Sequence, residues 1–263
     1  MAQPHGGALG AGSGTGGVKT LLAWSSGKDS AWTLHMLRRQ GVQVAALLTT
    51  LNADSDRVAM HGVRSALLQA QAESVGVPLW KVPLPGPCTN AEYEARMGEA
   101  CRRAVAEGFT EIAFGDLFLS DIRQYRERQL AGSGLTPLFP LWELPTGQLA
   151  REMIGSGLRA RITCVDPKAL DASFAGREFD GALLGDLPPG ADPCGENGEF
   201  HTFAYDGPMF RVKIGIEEGE VREINGFVYA DLKRTGPQMN TAPQSRNQNR
   251  TGRGDAAARR KPD

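Results

Sequence analysis

The sequence predicts a doubly wound parallel α/β sheet followed by a smaller C-terminal α+β part. Three observations carry this. Short apolar runs alternate with helix-period segments as far as Phe114, the first of those runs empties into a Gly/Ser-rich turn, and beyond Gly132 glycine and proline interrupt the alternation. Strands separated by single helices pair in parallel with right-handed crossovers. Sheets of that kind bind ligands outside the carboxyl ends of their strands, near the point where strand order reverses.

The opening strand is the apolar start of LLAWSSGKDS, residues 21–30, and the pattern is helical from Ser30, with Leu34 and Leu37 on one face, until Gly41 stops it. Val42 to Leu48 follows as a second buried strand. Met60 to Val75 reads as a helix with Val63, Leu67, Leu68 and Ala70 apolar, broken by Gly76-Val77-Pro78 ahead of a short strand from Leu79 to Val82. Ala91 to Ala106 is a third helix, and Glu111 to Phe114 a fourth strand that runs into Gly115 and Asp116. Asp121, Arg123, Arg126 and Arg128 then lie on a helix-like stretch and read as a solvated charged face. Past Gly132, Pro137, Pro140 and Pro145 punctuate the chain. Thr146 to Ile154 is a short helix there, Leu158 to Val165 a strand, and Phe210–Ile216 with Val221–Tyr229 an antiparallel pair across Glu218-Gly219.

Composition narrows the function classes. A chain of 263 residues, 41% hydrophobic, holds a proper core, and no apolar run approaches the roughly 18 residues of a membrane span. Cys88, Cys101, Cys164 and Cys194 form no C-x-x-C pair, which argues against a zinc ribbon, a redox pair or a disulfide framework and suggests a cytoplasmic protein. The net charge of −1 divides into a tail of +4 over residues 235–263 and a body of −5, and an acidic body does not suggest a nucleic-acid groove.

The candidate site starts at the first turn. Amides at a helix start lack partners within the helix and the dipole adds partial positive charge there, so an anion is favoured. Gly27 permits a positive φ or close approach of a ligand, Ser25, Ser26 and Ser30 bring hydroxyls, and Lys28 a mobile charge, a set that suits a polyphosphate. The same residues also read as a solvated turn with Asp29 or Ser30 capping the helix. A Walker loop is excluded, because Leu22 and Asp29 stand where it needs glycine and Ser/Thr. Thr49, Thr50 and Asn52 follow the second strand and Gly115-Asp116 the fourth, so all could border one crevice; Asp116 suits a ribose hydroxyl, a magnesium ion or a helix cap. The loop from Asp192 to Thr202, turned by glycines 195 and 198, gathers Glu196, Glu199, His201 and Thr202 within one short span, joining acid, base and hydrogen-bonding groups.

SSGKDS, MHGV at 60–63 opening the second helix, FGD at 114–116 and GENGEFHT at 195–202 together resemble the diphthine-ammonia ligase family of adenine nucleotide alpha-hydrolase-like proteins, over about residues 18–232. The resemblance implies a pyrophosphate loop, usually Ser-Gly-Gly-Lys-Asp-Ser, that splits ATP to AMP and pyrophosphate; Ser26 stands in place of one glycine. It implies an amide ligase that adenylates a carboxylate and displaces AMP with ammonia. Ser25, Ser26, Gly27, Lys28, Asp29, Ser30, Thr49, Gly115 and Asp116 would bind ATP, with Asp29 or Asp116 on Mg²⁺, and Lys28, Glu196, Glu199 and His201 would serve catalysis. The domains implied are a disordered 1–17, an ATP-binding pyrophosphate-loop domain over 18–131, a substrate-binding part over 132–234 and a disordered basic tail over 235–263. GENGEFHTF and a chain that ends soon after Arg234 look closest to bacterial members, for which a cobalamin-related or other small carboxylate is suggested. Two other readings share the first loop. One is an RNA-modifying adenylating enzyme, though the paired cysteines of sulfur-inserting versions are missing, and the other is a non-catalytic ATP sensor.

Overall fold

The computed structural model describes residues 17–236. The expectations for residues 1–17 and 235–263 concern segments that lie, but for their innermost residues, outside that range. The chain opens with β1 (Lys19–Ala23), α1 (Lys28–Arg39), β2 (Val44–Asn52), β3 (Arg57–Val58) and α2 (Ser65–Val75). It continues through β4 (Leu79–Leu84), α3 (Asn90–Ala106), β5 (Phe109–Ala113), α4 (Ser120–Leu130) and β6 (Thr136–Leu138). Five of these strands make a parallel sheet in the order β4-β2-β1-β5-β6, so the chain works outward from β1 to β4 and then returns to place β5 on the other side of β1. The reversal puts a crevice at the carboxyl ends of β1 and β5.

Burial on both faces explains the continuous apolar runs. Neighbours Leu21 and Leu22 are both fully buried yet belong to different cores, because successive side chains of a strand point to opposite faces. Leu22, Leu47 and Leu51 pack with α1 and α2, while Leu21, Leu48 and Ile112 pack with α3 and α4. Helix α3 is started by a capping box, in which Thr89 and Glu92 satisfy each other's backbone amides.

Next come α5 (Thr146–Gly155), β7 (Arg159–Val165), α6 (Gly181–Asp186), β8 (Phe200–Asp206), β9 (Ile216–Ile224) and β10 (Phe227–Arg234), and the four strands form an antiparallel sheet ordered β8-β7-β10-β9. This α/β plan, a parallel sheet followed by a smaller antiparallel one, is the architecture the sequence predicts. The two sheets share a core in which Leu34 and Leu37 of α1 join Phe203 and Ala204 of β8.

Several details differ from expectation; β2 runs to Asn52, so Thr49, Thr50 and Asn52, expected after the second strand, lie within it. The helix expected from Met60 begins at Ser65, because Met60 and Gly62 adopt positive φ (62° and 67°) and Gly62 N–H donates to Val58 O, closing a turn that no helix could contain. MHGV therefore forms that turn rather than the start of α2. The last hairpin turns at Asn225-Gly226, both at positive φ (54° and 81°), which is the pairing a two-residue hairpin loop requires; Glu218-Gly219 lies within β9, and of Phe210–Ile216 only Ile216 is in a strand. Finally, the proline-marked stretch after Gly132 supplies edge strand β6, where Pro137 is tolerated because one side of the strand is unpaired.

Candidate active site

The ends of β1 and β5, the start of α1, the MHGV turn and the loop before β8 surround a cavity of about 330 Å³. Lys28, Asp29 and Ser30, the first three residues of α1, line it; Gly27 has no side chain to cap the helix, and Thr202 Oγ1 accepts from the Lys28 amide at 3.0 Å, while the positive end of the helix dipole faces the cavity. Gly27 is needed for closeness, since a Cβ would lie 2.9 Å from His61 Cε1 and 3.3 Å from Thr202 O. Its own φ is −82°. The positive φ falls instead on Ser26, at 73°, whose carbonyl accepts from Ala204 N–H and Gln71 Nε2, both at 2.9 Å, and whose buried hydroxyl has no partner.

Lys28 is buried. Its Nζ donates to Asp29 Oδ2 at 2.8 Å and to the carbonyl of Cys194, and lies over the rings of Phe179 and Phe200 at 5.5 and 5.4 Å. Burial disfavours its charge, but Asp29 and other nearby acids outweigh that and hold the ammonium protonated. Burial raises the Asp29 carboxyl, with Lys28 pulling the other way, and Asp29 Oδ1 is buried without a partner.

The loop before β8 is shaped by two carboxylates. Asp192 Oδ2 accepts from the amides of Cys194 and Glu196, each at 3.0 Å, and Glu199 Oε1 accepts from Asp192 N–H at 2.8 Å and Asn197 Nδ2 at 3.0 Å. Gly195 completes the turn at φ 68°, where a Cβ would meet Phe200 O at 2.8 Å. Glu199, placed among the catalytic candidates by the sequence, thus sits behind the cavity wall and holds the loop together.

Glu196 does line the cavity, and its Oε1 accepts from Leu117 N–H at 2.7 Å, joining this loop to the segment after β5. Burial pushes its carboxyl up to about 7. The rings of His201 and His61 stand 4.7 Å apart. His61 Nδ1 lies 3.0 Å from Thr202 O; a carbonyl only accepts, so Nδ1 carries the hydrogen and Nε2 is left as an acceptor. Burial lowers His61 to about 3 and His201 to about 4, leaving both neutral near pH 7. Burial likewise pushes the Cys194 thiol up to about 12, the opposite of what a nucleophile needs.

Toward β2 the cavity becomes apolar, with Ala23, Leu48, Met97, Tyr93 and Phe114 in its wall. Ser25, Gly115 and Asp116 line it as well. Asp116 is held through both oxygens by Arg126, which lies 4.3 Å above the ring of Phe114, so Arg126 belongs to the site and not to a solvated face. Thr49 turns away, donating to Trp24 O at 2.6 Å, and Thr50 takes its place in the wall. Sequence reasoning did not single out His61, although it lay within a quoted motif, nor Asp192 and Gln71, whose roles appear only once distant segments meet.

The diphthamide synthase N-terminal domain profile matches residues 18–136 and the diphthamide synthase C-terminal domain profile residues 145–236. The diphthine–ammonia ligase of Danio rerio is 30% identical over 220 residues, spanning 74% of this chain and 85% of that protein. The chain belongs to the diphthine–ammonia ligase family. Family members of the same name from Rattus norvegicus and Homo sapiens are each 28% identical over 224 residues, spanning 82% of those proteins and 74% and 75% of this chain. As a diphthine–ammonia ligase family member, the protein is an ATP-dependent enzyme that joins ammonia to a carboxylate. Among the described residues no helix is long and apolar enough to cross a membrane.

Proposed function

We propose that the protein activates a carboxylate by adenylation and then amidates it, with AMP and pyrophosphate as the other products. The supporting observation is that the anion-binding start of α1 and Glu196 face one cavity and are tied together by the Lys28 bond to the Cys194 carbonyl. A carboxylate is a poor acyl donor because its leaving group would be oxide. Attack of its oxygen on the α-phosphorus of ATP breaks the bond to the β-phosphate, and a later attack of ammonia at the acyl carbon expels AMP and sheds one proton.

The residues fit that substrate. The start of α1, with Ser25, Ser30 and Lys28, would take the phosphates, where positioned donors stabilise the charge gathering on departing pyrophosphate. Ala23, Leu48, Met97 and Phe114 would take the adenine. Asp29, whose Oδ1 is unpartnered, would hold Mg²⁺ better than Asp116, whose two oxygens are already held by Arg126, and the ion would supply charge neutralisation. Glu196 would hold ammonium and accept its proton, while neutral His61 and His201 would orient the acyl group by hydrogen bonds. The GENGEFHTF form supports a bacterial-type member with a small-molecule carboxylate. Incubation with ATP, Mg²⁺, ammonium and a panel of carboxylates tests the proposal: AMP and pyrophosphate are expected, and ADP with phosphate would overturn it.

A further inference from the structure

A second and larger cavity, about 680 Å³, lies on the other side of the MHGV turn, between that turn and the β9–β10 hairpin. One turn divides the two cavities: His61 lines the nucleotide cavity, while Met60 and Gly62 on either side of it line the second. The turn is held firmly. Arg57 Nη1 donates to Gly62 O at 2.6 Å, and Gly62 is pressed onto the ring of Tyr229, where a Cβ would come within 2.7 Å. Four basic residues and two acidic ones line this second cavity. Arg57 and Arg64 share a single carboxylate, Asp231, at 2.9 and 2.6 Å, so one guanidinium charge there is in excess, and Lys233 adds another from β10. Apolar surface from Val58, Ile224 and Tyr229 lies between these charges.

We infer that this cavity binds the body of the acyl substrate, and that the substrate is a small carboxylic acid carrying a second anionic group remote from the carboxylate that reacts. The inference rests on the ligase reading above. Its volume matches a small-molecule site, its excess charge is positive, and only the turn at Met60–Gly62 separates it from the nucleotide cavity. The second anion sits against Arg57, Arg64 and Lys233, with Arg222 offsetting the charge of Glu220 in the same wall, and the reacting carboxylate lies on the His61 side.

Two measurements on the full chain test it. The first titrates 8-anilinonaphthalene-1-sulfonate, an aromatic anion, by fluorescence with saturating ATP present. Binding that persists with ATP and weakens about fivefold or more in Arg222→Gln/Lys233→Gln is expected, the size that partly exposed charge pairs supply. Both residues are exposed, so the fold is retained, as a thermal melt will verify. Displacement of the probe by ATP, or equal binding by the double variant, overturns the inference. The second compares pyrophosphate release with monocarboxylates and with matched acids bearing a remote carboxylate or phosphate. A preference of about fivefold or more for the dianionic acids, lost in the double variant, supports it; no preference in the wild type overturns it. If no carboxylate releases pyrophosphate while the probe still binds as described, the ligase reading fails and the anion cavity stands.

Discussion

Ser26 holds a left-handed backbone at φ 73° with a buried hydroxyl that has no partner, two local costs at a single residue. A left-handed residue with a Cβ costs roughly 1–2 kcal/mol, and glycine removes that cost. Ser26→Gly is therefore expected to gain about 1 kcal/mol, seen as a rise of roughly 2–4 °C in the melting temperature. Ser26→Ala keeps the backbone strain and serves as the control; a gain as large in Ala as in Gly would assign the cost to the hydroxyl instead. At Glu196 the relevant variable is pH. Its carboxyl titrates near 7 in the folded chain against an ordinary 4.5, so the folded state holds an extra proton between those values, and stability declines across that window and levels off above it. Glu196→Gln should abolish that decline in chemical denaturation measured at several pH values. If the ionised form accepts the ammonium proton, amidation climbs through about pH 7 in the wild type, and the variant loses about 10²–10⁴-fold in rate together with that limb. An unchanged pH profile in the variant would remove Glu196 from the proton transfer.

The start of α1 was legible in the sequence as an element, because Gly/Ser after an apolar run marks a strand-to-helix turn wherever it occurs. The assignment of conformations within it was not, since either Ser26 or Gly27 could have turned left-handed until the neighbours of each were known. Gly27 is constrained by the MHGV turn and by Thr202, residues 34 and 175 positions away. Gly27→Ala pushes a methyl into His61 and Thr202, an overpacking that costs about 1–3 kcal/mol and displaces the first turn of α1, so isothermal titration should show ATP affinity falling at least tenfold. Retention of full affinity would mean that the loop yields without moving the helix. The other elements follow the same division. Strands buried on both faces were read correctly because burial writes a continuous apolar run. The start of α2 and the last hairpin were misplaced because a positive φ at Met60 overrode a helical pattern, and because Glu218-Gly219 drew attention from Asn225-Gly226, the stronger hairpin signal.

At the scale of the whole molecule, the site exists only where two sheets meet, and few residues do the joining. Arg38 of α1 donates to Met209 O at 2.9 Å and to Val75 O at 2.6 Å, Lys28 N–H donates to Thr202 Oγ1 at 3.0 Å, and Gln71 of α2 reaches three partners. Gln71 Oε1 accepts from Trp24 Nε1 at 2.8 Å, while Nε2 donates to Ser26 O at 2.9 Å and to Ala204 O at 2.6 Å, so one fully buried amide ties the end of β1, the turn at Ser26 and β8 together. Nothing in a lone glutamine within a helical pattern announces this, which is why the joining residues were the least legible part of the site. Gln71→Met keeps the length of the side chain but leaves the Trp24 indole and the Ala204 carbonyl buried and short of a partner, at about 1–3 kcal/mol for each such group. The expected result is a loss of about 2–4 kcal/mol and a melting temperature lower by roughly 5–15 °C. The transition should remain single, because Leu34 and Leu37 pack with Phe203 and Ala204 in one core that neither sheet can leave alone. Calorimetry of the variant decides the point: two separated transitions would show that the polar tie, and not the shared apolar core, is what makes the two sheets unfold together.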